Sequence, residues 1–193
     1  MPSDFERKEK IISAATSLFS RLGLEKTTME DIAKAARKGK STLYYYFKSK
    51  EDVFAEVIRM EIAGLNTAII NAIETEDDPY NKFRAFVGTR LDYLNAKADQ
   101  YISIKDEYLK HYVFIRNLTS DYSDWEISTI KDIVVYGRDR GLFLVTDSES
   151  VSQAIFFALK GLEYPWVTNL TRDEIRMSVN TLVDIILKGI TKQ

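Results

Sequence analysis

The chain has 193 residues, enough for one compact unit or a small module joined to a larger helical one. It contains no Cys and one His, which excludes disulfides, Cys-ligated zinc and any site that needs two imidazoles. The net charge of −2 by itself argues against nucleic-acid binding. However, residues 1–50 carry 11 Lys and Arg against 6 Asp and Glu, net +5, and the remainder carries 16 against 23, net −7. A basic head therefore precedes an acidic body.

The ends and the longest uncharged run bear on location. The N-terminus is charged from Asp4 onward, without the apolar stretch of a secretory signal, so we expect a cytoplasmic protein. The longest run without a charged residue covers 12 residues, 62–73, against roughly 20 apolar residues for a membrane span. We therefore expect no membrane partner.

Apolar residues recur at helical spacing nearly everywhere and strand-like alternation is almost absent, which predicts an all-α fold of about nine helices. A first helix opens at a capping box of Ser3 and Glu6 and stops at Gly23. Thr28 caps a short second helix, which Gly39 breaks. Caps and breakers place the remaining helices at about 41–47, 50–73, 79–94, 101–118, 121–140, 147–164 and 171–190.

Two short helices directly after a longer one, inside the basic head, match the plan of a helix-turn-helix, whose second helix enters the DNA major groove. The charge asymmetry then has a reason, because only the head needs to meet phosphate. The residues that we expect to contact DNA are Thr28, Lys38, Lys40, Ser41, Thr42, Tyr44, Tyr45, Tyr46, Lys48 and Lys50.

Each of these residues is expected to contact DNA for a chemical reason. The hydroxyl of Thr28 and the start of its helix can receive a phosphate, and the lysines around the third helix neutralise backbone charge. Ser41 and Thr42 lie at the start of that helix, where side chains meet base edges. The tyrosines 44–46 are about 100° apart on a helix, so at least one should face outward and bond a phosphate. Leu43 and Phe47 form the buried side.

At these residues the sequence resembles the TetR family of bacterial transcriptional regulators. The segment 27–33 resembles the family's second helix, and 41–51 resembles its recognition helix with the start of helix four. The resemblance is specific over about residues 5–55, and beyond that the family shares a nine-helix plan more than a sequence. It implies a DNA-binding domain at 1–49, a ligand-binding and dimerisation domain at 50–193, and a two-fold dimer.

The chain departs from the family between the two short helices. Where the family usually has Ala-Gly-Val-Ser, this chain has Ala36-Arg37-Lys38-Gly39. Arg37 replaces the turn glycine and has to accept strain if a positive φ is needed there. Lys38 replaces a buried valine and has to extend its ammonium to solvent, and Gly39 replaces the Ser cap. Tyr46 stands where His is common.

The resemblance also implies an inducer site among helices four to eight. Most aromatic residues after residue 50 should be core, but aromatic walls with a few polar groups are the usual form of a small-ligand site. We expect an apolar or aromatic ligand at Phe86, Tyr93, Tyr108, His111, Tyr112, Trp125 and Phe157. His111 lies four residues after Glu107, but without a second His we expect neither a metal nor another cofactor.

The last two helices carry long apolar stripes. These stripes either bury against the neighbouring helices or, as the resemblance implies, form half of a four-helix dimer interface. The expected interface residues are Val151, Ala154, Ile155, Ala158, Leu162, Ile175, Val179, Leu182 and Ile186.

The expected function is a homodimeric repressor that binds double-stranded operator DNA, leaves it when a small molecule binds, and has no catalytic residues. One alternative is a DNA-binding regulator without a small ligand, controlled by a protein partner or by its abundance. Another is a helical enzyme that carries the DNA-binding module. The enzyme is disfavoured because the chain lacks Cys, a His pair and a phosphate-binding Gly loop.

Overall fold

The computed structural model describes residues 3–100, 120–161 and 171–191. Every regular element within these residues is an α-helix, which confirms the all-α prediction. The helices are α1 (Asp4–Lys26), α2 (Met29–Ala35), α3 (Lys40–Tyr46), α4 (Lys50–Glu74), α5 (Pro79–Gln100), α6 (Ser120–Asp139), α7 (Ser148–Gly161) and α8 (Arg172–Ile190). The helix predicted at 101–118 lies outside the described residues. In the part of the chain that is described, no helix is both long and apolar enough to cross a membrane.

Capping boxes begin α1, α2 and α8 at the predicted positions. In each, the hydroxyl of the cap residue accepts a hydrogen bond from the N–H three residues on, and the acid there accepts one from the N–H of the cap. The pairs are Ser3 with Glu6, Thr28 with Asp31 and Thr171 with Glu174. Hydrogen bonds from Thr28 lower the pKa of Asp31, and those from Thr171 lower the pKa of Glu174, because they favour the charged carboxylates.

The end of α1 differs from the prediction. Gly23 has φ 76° and ψ 171°, outside the helical region, yet helical structure continues to Lys26. The predicted stop at Gly23 is therefore a kink, and the helix ends about one turn later.

Two compact units divide the chain. The first contains the residues up to Gly64 and the segment from Ala96, and the second contains Leu65–Asn95 and the chain from Ser120. The core of the first unit draws on α1, α2, α3 and the start of α4, and includes an edge-to-face contact of Phe19 and Phe54 with centroids 5.3 Å apart. This unit therefore includes part of α4, and the functional division after residue 49 remains a prediction.

The second unit contains a close approach between α6 and the segment that follows it. The ring of Phe143, which is 2% exposed, lies against the backbone of Gly137 and contacts Tyr80 edge-on at 5.1 Å. The carbonyl of Gly137 also accepts hydrogen bonds from the N–H groups of Leu142 and Phe143, at 3.0 and 3.1 Å. The chain turns back here because residue 137 has no side chain.

Gly137→Ala should destabilise the protein by about 1–3 kcal/mol, since the added methyl overpacks a closed core. A Cβ at residue 137 would lie 2.2 Å from Cδ2 of Phe143, a buried ring with no room to retreat. The measurement is urea denaturation followed by circular dichroism.

Gly88→Ala in α5 is the matched control. A Cβ at residue 88 meets nothing within 4 Å. The control should therefore stabilise the protein by about 0.5–1 kcal/mol through helix propensity. A Gly137→Ala variant as stable as the wild type would show that the ring is not packed on the helix in solution.

Candidate DNA-binding surface

The turn between α2 and α3 is closed by two backbone hydrogen bonds. The N–H of Lys38 donates to the carbonyl of Ala33 at 2.9 Å, and the N–H of Arg37 donates to that of Lys34 at 3.1 Å. This pattern ends a helix with one residue at positive φ, usually glycine. Arg37 occupies that position with φ 54°. The strain expected of Arg37 is therefore present.

The rest of the turn also differs from the family pattern in ways that the structure accommodates. Lys38 is partly buried, so neighbouring atoms cover its aliphatic stem without enclosing the whole side chain. Gly39 begins α3 with φ −70° and offers no side-chain hydrogen bond to the first turn. A glycine at such a position costs only a few tenths of a kcal/mol relative to serine. The turn thus holds α3 without the usual cap.

One side of α3 is buried against the core, and the other, its open side, is exposed to solvent. Leu43 is 0% exposed and Phe47 is 5% exposed, which confirms the predicted buried side. Tyr44 and Tyr45 are 54% and 77% exposed, so two of the three tyrosines face outward, where at least one was expected. Lys40, Ser41 and Lys48 are also exposed, and Thr42 is partly exposed. The open side therefore presents hydroxyls, phenols and ammonium groups.

Tyr46 has a different role from its neighbours. It is partly buried, and its hydroxyl donates a hydrogen bond to Oδ1 of Asp4 at the start of α1. This bond raises the pKa of Tyr46, because ionising the phenol next to a carboxylate is unfavourable. A phosphate contact by Tyr46, as predicted, would have to compete with Asp4. Sequence spacing could not reveal the pair, because 42 residues separate its members.

Lys50 is also engaged within the chain. Its Nζ donates to the carbonyls of Leu24 and Glu25, at 2.8 and 3.0 Å, at the C-terminal end of α1. An ammonium is favourable there because unpaired carbonyls and the helix dipole make the end negative. We infer a structural role for Lys50, and its predicted contact with phosphate would have to compete with these carbonyls.

Lys40 and Thr28, which we also predict to contact DNA, have partners within the chain that a phosphate could replace. Nζ of Lys40 lies 2.9 Å from Oε2 of Glu30, with both side chains more than half exposed, and such surface pairs contribute little. The hydroxyl of Thr28 accepts from the N–H of Asp31 at 3.1 Å and donates to its carboxylate at 2.6 Å. Lys40 can exchange its partner for phosphate easily, whereas Thr28 would give up part of its cap.

An ion pair that the sequence reasoning missed ties α1 to α4. Nζ of Lys8 lies 2.7 Å from Oε1 of Glu56 and 5.8 Å from the centre of the Phe47 ring. The hydrogen bond from Lys8 lowers the pKa of Glu56. Because the residues lie 48 positions apart, their charges looked like ordinary surface charges in the sequence.

The predicted ligand residues fall into three groups. Phe86 is 0% exposed, and Tyr93 and Trp125 are partly buried. Phe157 is 66% exposed on α7, and this corrects its assignment, since a ring on the outside of a helix does not line an interior site. Tyr108, His111 and Tyr112 lie outside the described residues.

The predicted interface residues also divide. Ile155, Ile175 and Val179 are 3–5% exposed and belong to the core of the second unit, so they have almost no area to offer a partner chain. The other predicted interface residues that the structure describes are at least partly exposed: Val151, Ala154, Ala158, Leu182 and Ile186. Leu162 lies outside the described residues. The large exposed apolar side chains on α7 and α8 are Phe157, Met177 and Ile185.

Residues 11–57, which span the core and the open face of α3, match the sequence profile of the bacterial regulatory proteins of the tetR family. Over this segment the chain therefore resembles the TetR family. It is similar to the biofilm operon icaADBC HTH-type negative transcriptional regulator IcaR of Staphylococcus aureus, at 29% identity over 126 residues. The match covers 65% of this chain and 62% of IcaR. The match thus spans less than two thirds of the length of IcaR.

Solved structures share the fold over nearly the whole chain. A transcriptional regulator from Cytophaga hutchinsonii matches with a TM-score of 0.80 at 22% identity, covering 95% of this chain and 98% of that one. A transcriptional regulator from Saccharomonospora viridis in complex with choline matches with a TM-score of 0.76 at 21% identity, covering 98% and 100%. At these identities the comparison establishes the fold.

Arg37→Gly should stabilise the protein by about 0.5–1 kcal/mol, because removing the Cβ relieves the positive φ while the more flexible unfolded chain offsets part of the gain. Thermal denaturation measures the change. Arg37→Ala is the control, since it removes the guanidinium and keeps the Cβ. Equal stabilities of the two variants would contradict a strained residue 37.

Tyr46→Phe should lower the denaturation midpoint, and Tyr45→Phe should leave it unchanged, because only the first loses a hydrogen bond within the chain. Since folding raises the pKa of Tyr46, its contribution is present below the ordinary tyrosine pKa of about 10 and is lost as pH rises through the raised value. Melting curves at neutral and strongly alkaline pH test both points. A Tyr46→Phe deficit that persists in alkali would argue against the bond to Asp4.

Proposed function

We propose that this protein is a transcriptional regulator of the TetR type, a repressor that binds operator DNA as a two-fold dimer through α3 and leaves it when a small molecule binds in the second unit. The open side of α3 carries the proposal. Its exposed phenols, hydroxyls and ammonium groups are backed by a closed apolar side, so the helix can enter a groove without losing its own packing.

The side chains divide by the part of DNA that they suit. Ser41 and Thr42 lie in the first turn of α3, where hydroxyls and a methyl group can meet base edges. Tyr44, Tyr45 and Lys48 are exposed and suit phosphate oxygens, which position a protein without reading sequence. Lys38 and Lys40 add charge beside the same helix. Sequence preference then depends mainly on Ser41 and Thr42.

Repression is supported by a relative with a negative role. IcaR, which resembles this chain over 126 residues, is a negative regulator. A protein that occupies an operator blocks transcription by binding alone, whereas activation requires a further contact. Repression therefore requires no contact other than that of the observed surface with DNA.

A ligand-controlled dimer is supported by two further observations. A fold neighbour holds choline, so this fold accommodates a small molecule. Phe157, Met177 and Ile185 leave large apolar side chains exposed on α7 and α8, as expected of a surface covered by a second copy. Two copies present two recognition helices to two half-sites on the duplex.

Lys48→Ala should weaken binding to all duplexes and reduce the slope of log K against log salt by about 0.9 for each phosphate that is no longer neutralised. Lys50→Ala is the matched control two residues away. It should leave the salt slope unchanged and lower stability by about 0.5–1.5 kcal/mol, because its ammonium holds the end of α1.

The DNA should be selected with the purified protein by genome-wide footprinting and then titrated at several salt concentrations. Equal salt slopes for wild type and Lys48→Ala would remove Lys48 from the interface. Failure to select any sequence would overturn sequence-specific binding. Specific binding with no release by any small molecule in a diverse library would favour the regulator controlled by a protein partner or by abundance.

A further inference from the structure

The second unit contains a buried charged cluster that DNA binding does not use. Arg90 of α5 is 5% exposed and Glu126 of α6 is 0% exposed. Nε of Arg90 donates a hydrogen bond to Oε1 of Glu126. Burying such a pair removes both ions from water, and this loss of hydration has to be offset by their attraction and by further hydrogen bonds.

The second oxygen of Glu126 is not satisfied in this way. Oε2 is buried and has no hydrogen-bond donor in the described structure. Nζ of Lys160, on α7, lies 3.8 Å from it, within ion-pair range but beyond a hydrogen bond. A buried acceptor without a donor destabilises the folded state, and more so when it is charged. The carboxylate is therefore prepared for a donor or cation closer than Lys160.

Aromatic rings complete the surroundings of this position. The ammonium of Lys160 lies 5.5 Å from the ring centre of Tyr122 and 5.5 Å from that of Phe156. The ring of Trp125 stacks on Tyr122, with centroids 5.9 Å apart. Ring faces attract cations, and Lys160 reaches them on a flexible stem, with its side chain 28% exposed.

We propose that these residues form a binding site for an organic cation and that the Lys160 ammonium is its tethered occupant. An effector carrying an ammonium group with apolar substituents replaces the Lys160 ammonium between the rings and beside Oε2 of Glu126, and Lys160 moves to solvent. The inference rests on the proposed ligand control and names the ligand class. It changes the expected ligand from a largely apolar molecule to a cation.

Charge balance favours a cation over an anion. Exchanging one ammonium for another leaves the buried charge unchanged, and the effector's substituents fill the space of the lysine stem. An anion at the same position would lie beside the Glu126 carboxylate and be repelled by it. The Lys160 side chain is partly exposed already, whereas Arg90 and Glu126 are buried, so Lys160 is the member of the cluster with a short path to solvent.

Lys160→Met is the decisive variant because it removes the competing ammonium and keeps an unbranched apolar stem. The probe is choline, and the neutral isostere 3,3-dimethylbutan-1-ol is the chemical control. By isothermal titration calorimetry on the full chain, Lys160→Met should bind choline about tenfold or more tightly than the wild type, since a tethered group competes at high effective concentration. The neutral isostere should bind neither protein.

Two further variants separate the site from its surroundings. Glu126→Gln should lose choline binding while keeping a side chain of the same shape beside Arg90. Lys131→Met removes a charge from an exposed pair with Glu149 and should leave choline affinity as in the wild type. A gain of affinity in both lysine variants would overturn the proposal, because it would reflect net charge alone.

The remaining outcomes distinguish a failure of the cation site from a failure of the proposed repressor function. If folded Lys160→Met binds no choline, or binds hexanoate in its place, the cluster is a structural ion network or an anion site. Footprinting of the same wild-type preparation reports on the repressor separately. A wild type that selects an operator but gains no choline affinity on Lys160→Met refutes only the cation site.

Discussion

The burial of Leu43 and Phe47 is the constraint on which the candidate DNA-binding surface depends. These two side chains attach α3 to a core built from α1, α2 and the start of α4. Because they are four residues apart, they occupy one side of a two-turn helix and leave the opposite side to polar residues. The same packing that stabilises the first unit therefore selects which side chains can meet DNA. A helix of seven residues would not hold this orientation by itself.

The basic residues of the first unit do not act as one group. Lys48 is exposed, whereas Lys50 binds carbonyls at the end of α1 and Lys8 pairs with Glu56. Counting charge in the head thus includes ammonium groups that are engaged within the chain, and it overstates the number that are available to phosphate. Part of that charge holds the helices in the arrangement that presents the rest. Salt dependence, which counts only contacts with phosphate, distinguishes the two uses.

In the second unit, the feature that needs an explanation is buried charge rather than exposed basic residues. Its core is largely apolar, yet Arg90 and Glu126 are buried among helices α5 and α6 with the ammonium of Lys160 beside two rings. Such a cluster is a costly way to stabilise a fold, since apolar residues of similar volume generally do as well. The proposed cation site gives this cluster a role, because the Glu126 carboxylate and the ring faces are already in place when a cation exchanges with the Lys160 ammonium.

The sequence by itself determined the helical class, the positions of the capping boxes, the buried side of α3 and the resemblance to the TetR family. These features depend on residues within a few positions of one another, so periodicity and cap chemistry report them. Only the tertiary structure decided that Tyr46 bonds Asp4, that Lys50 serves α1, that Phe157 faces outward and that Glu126 lies beside Lys160. Each of these depends on residues that packing brings together from distant parts of the chain, or on which side of a helix a neighbour covers. A single sequence does not state such contacts, because a charged or aromatic residue has the same spacing whether its partner is solvent, another helix or a ligand.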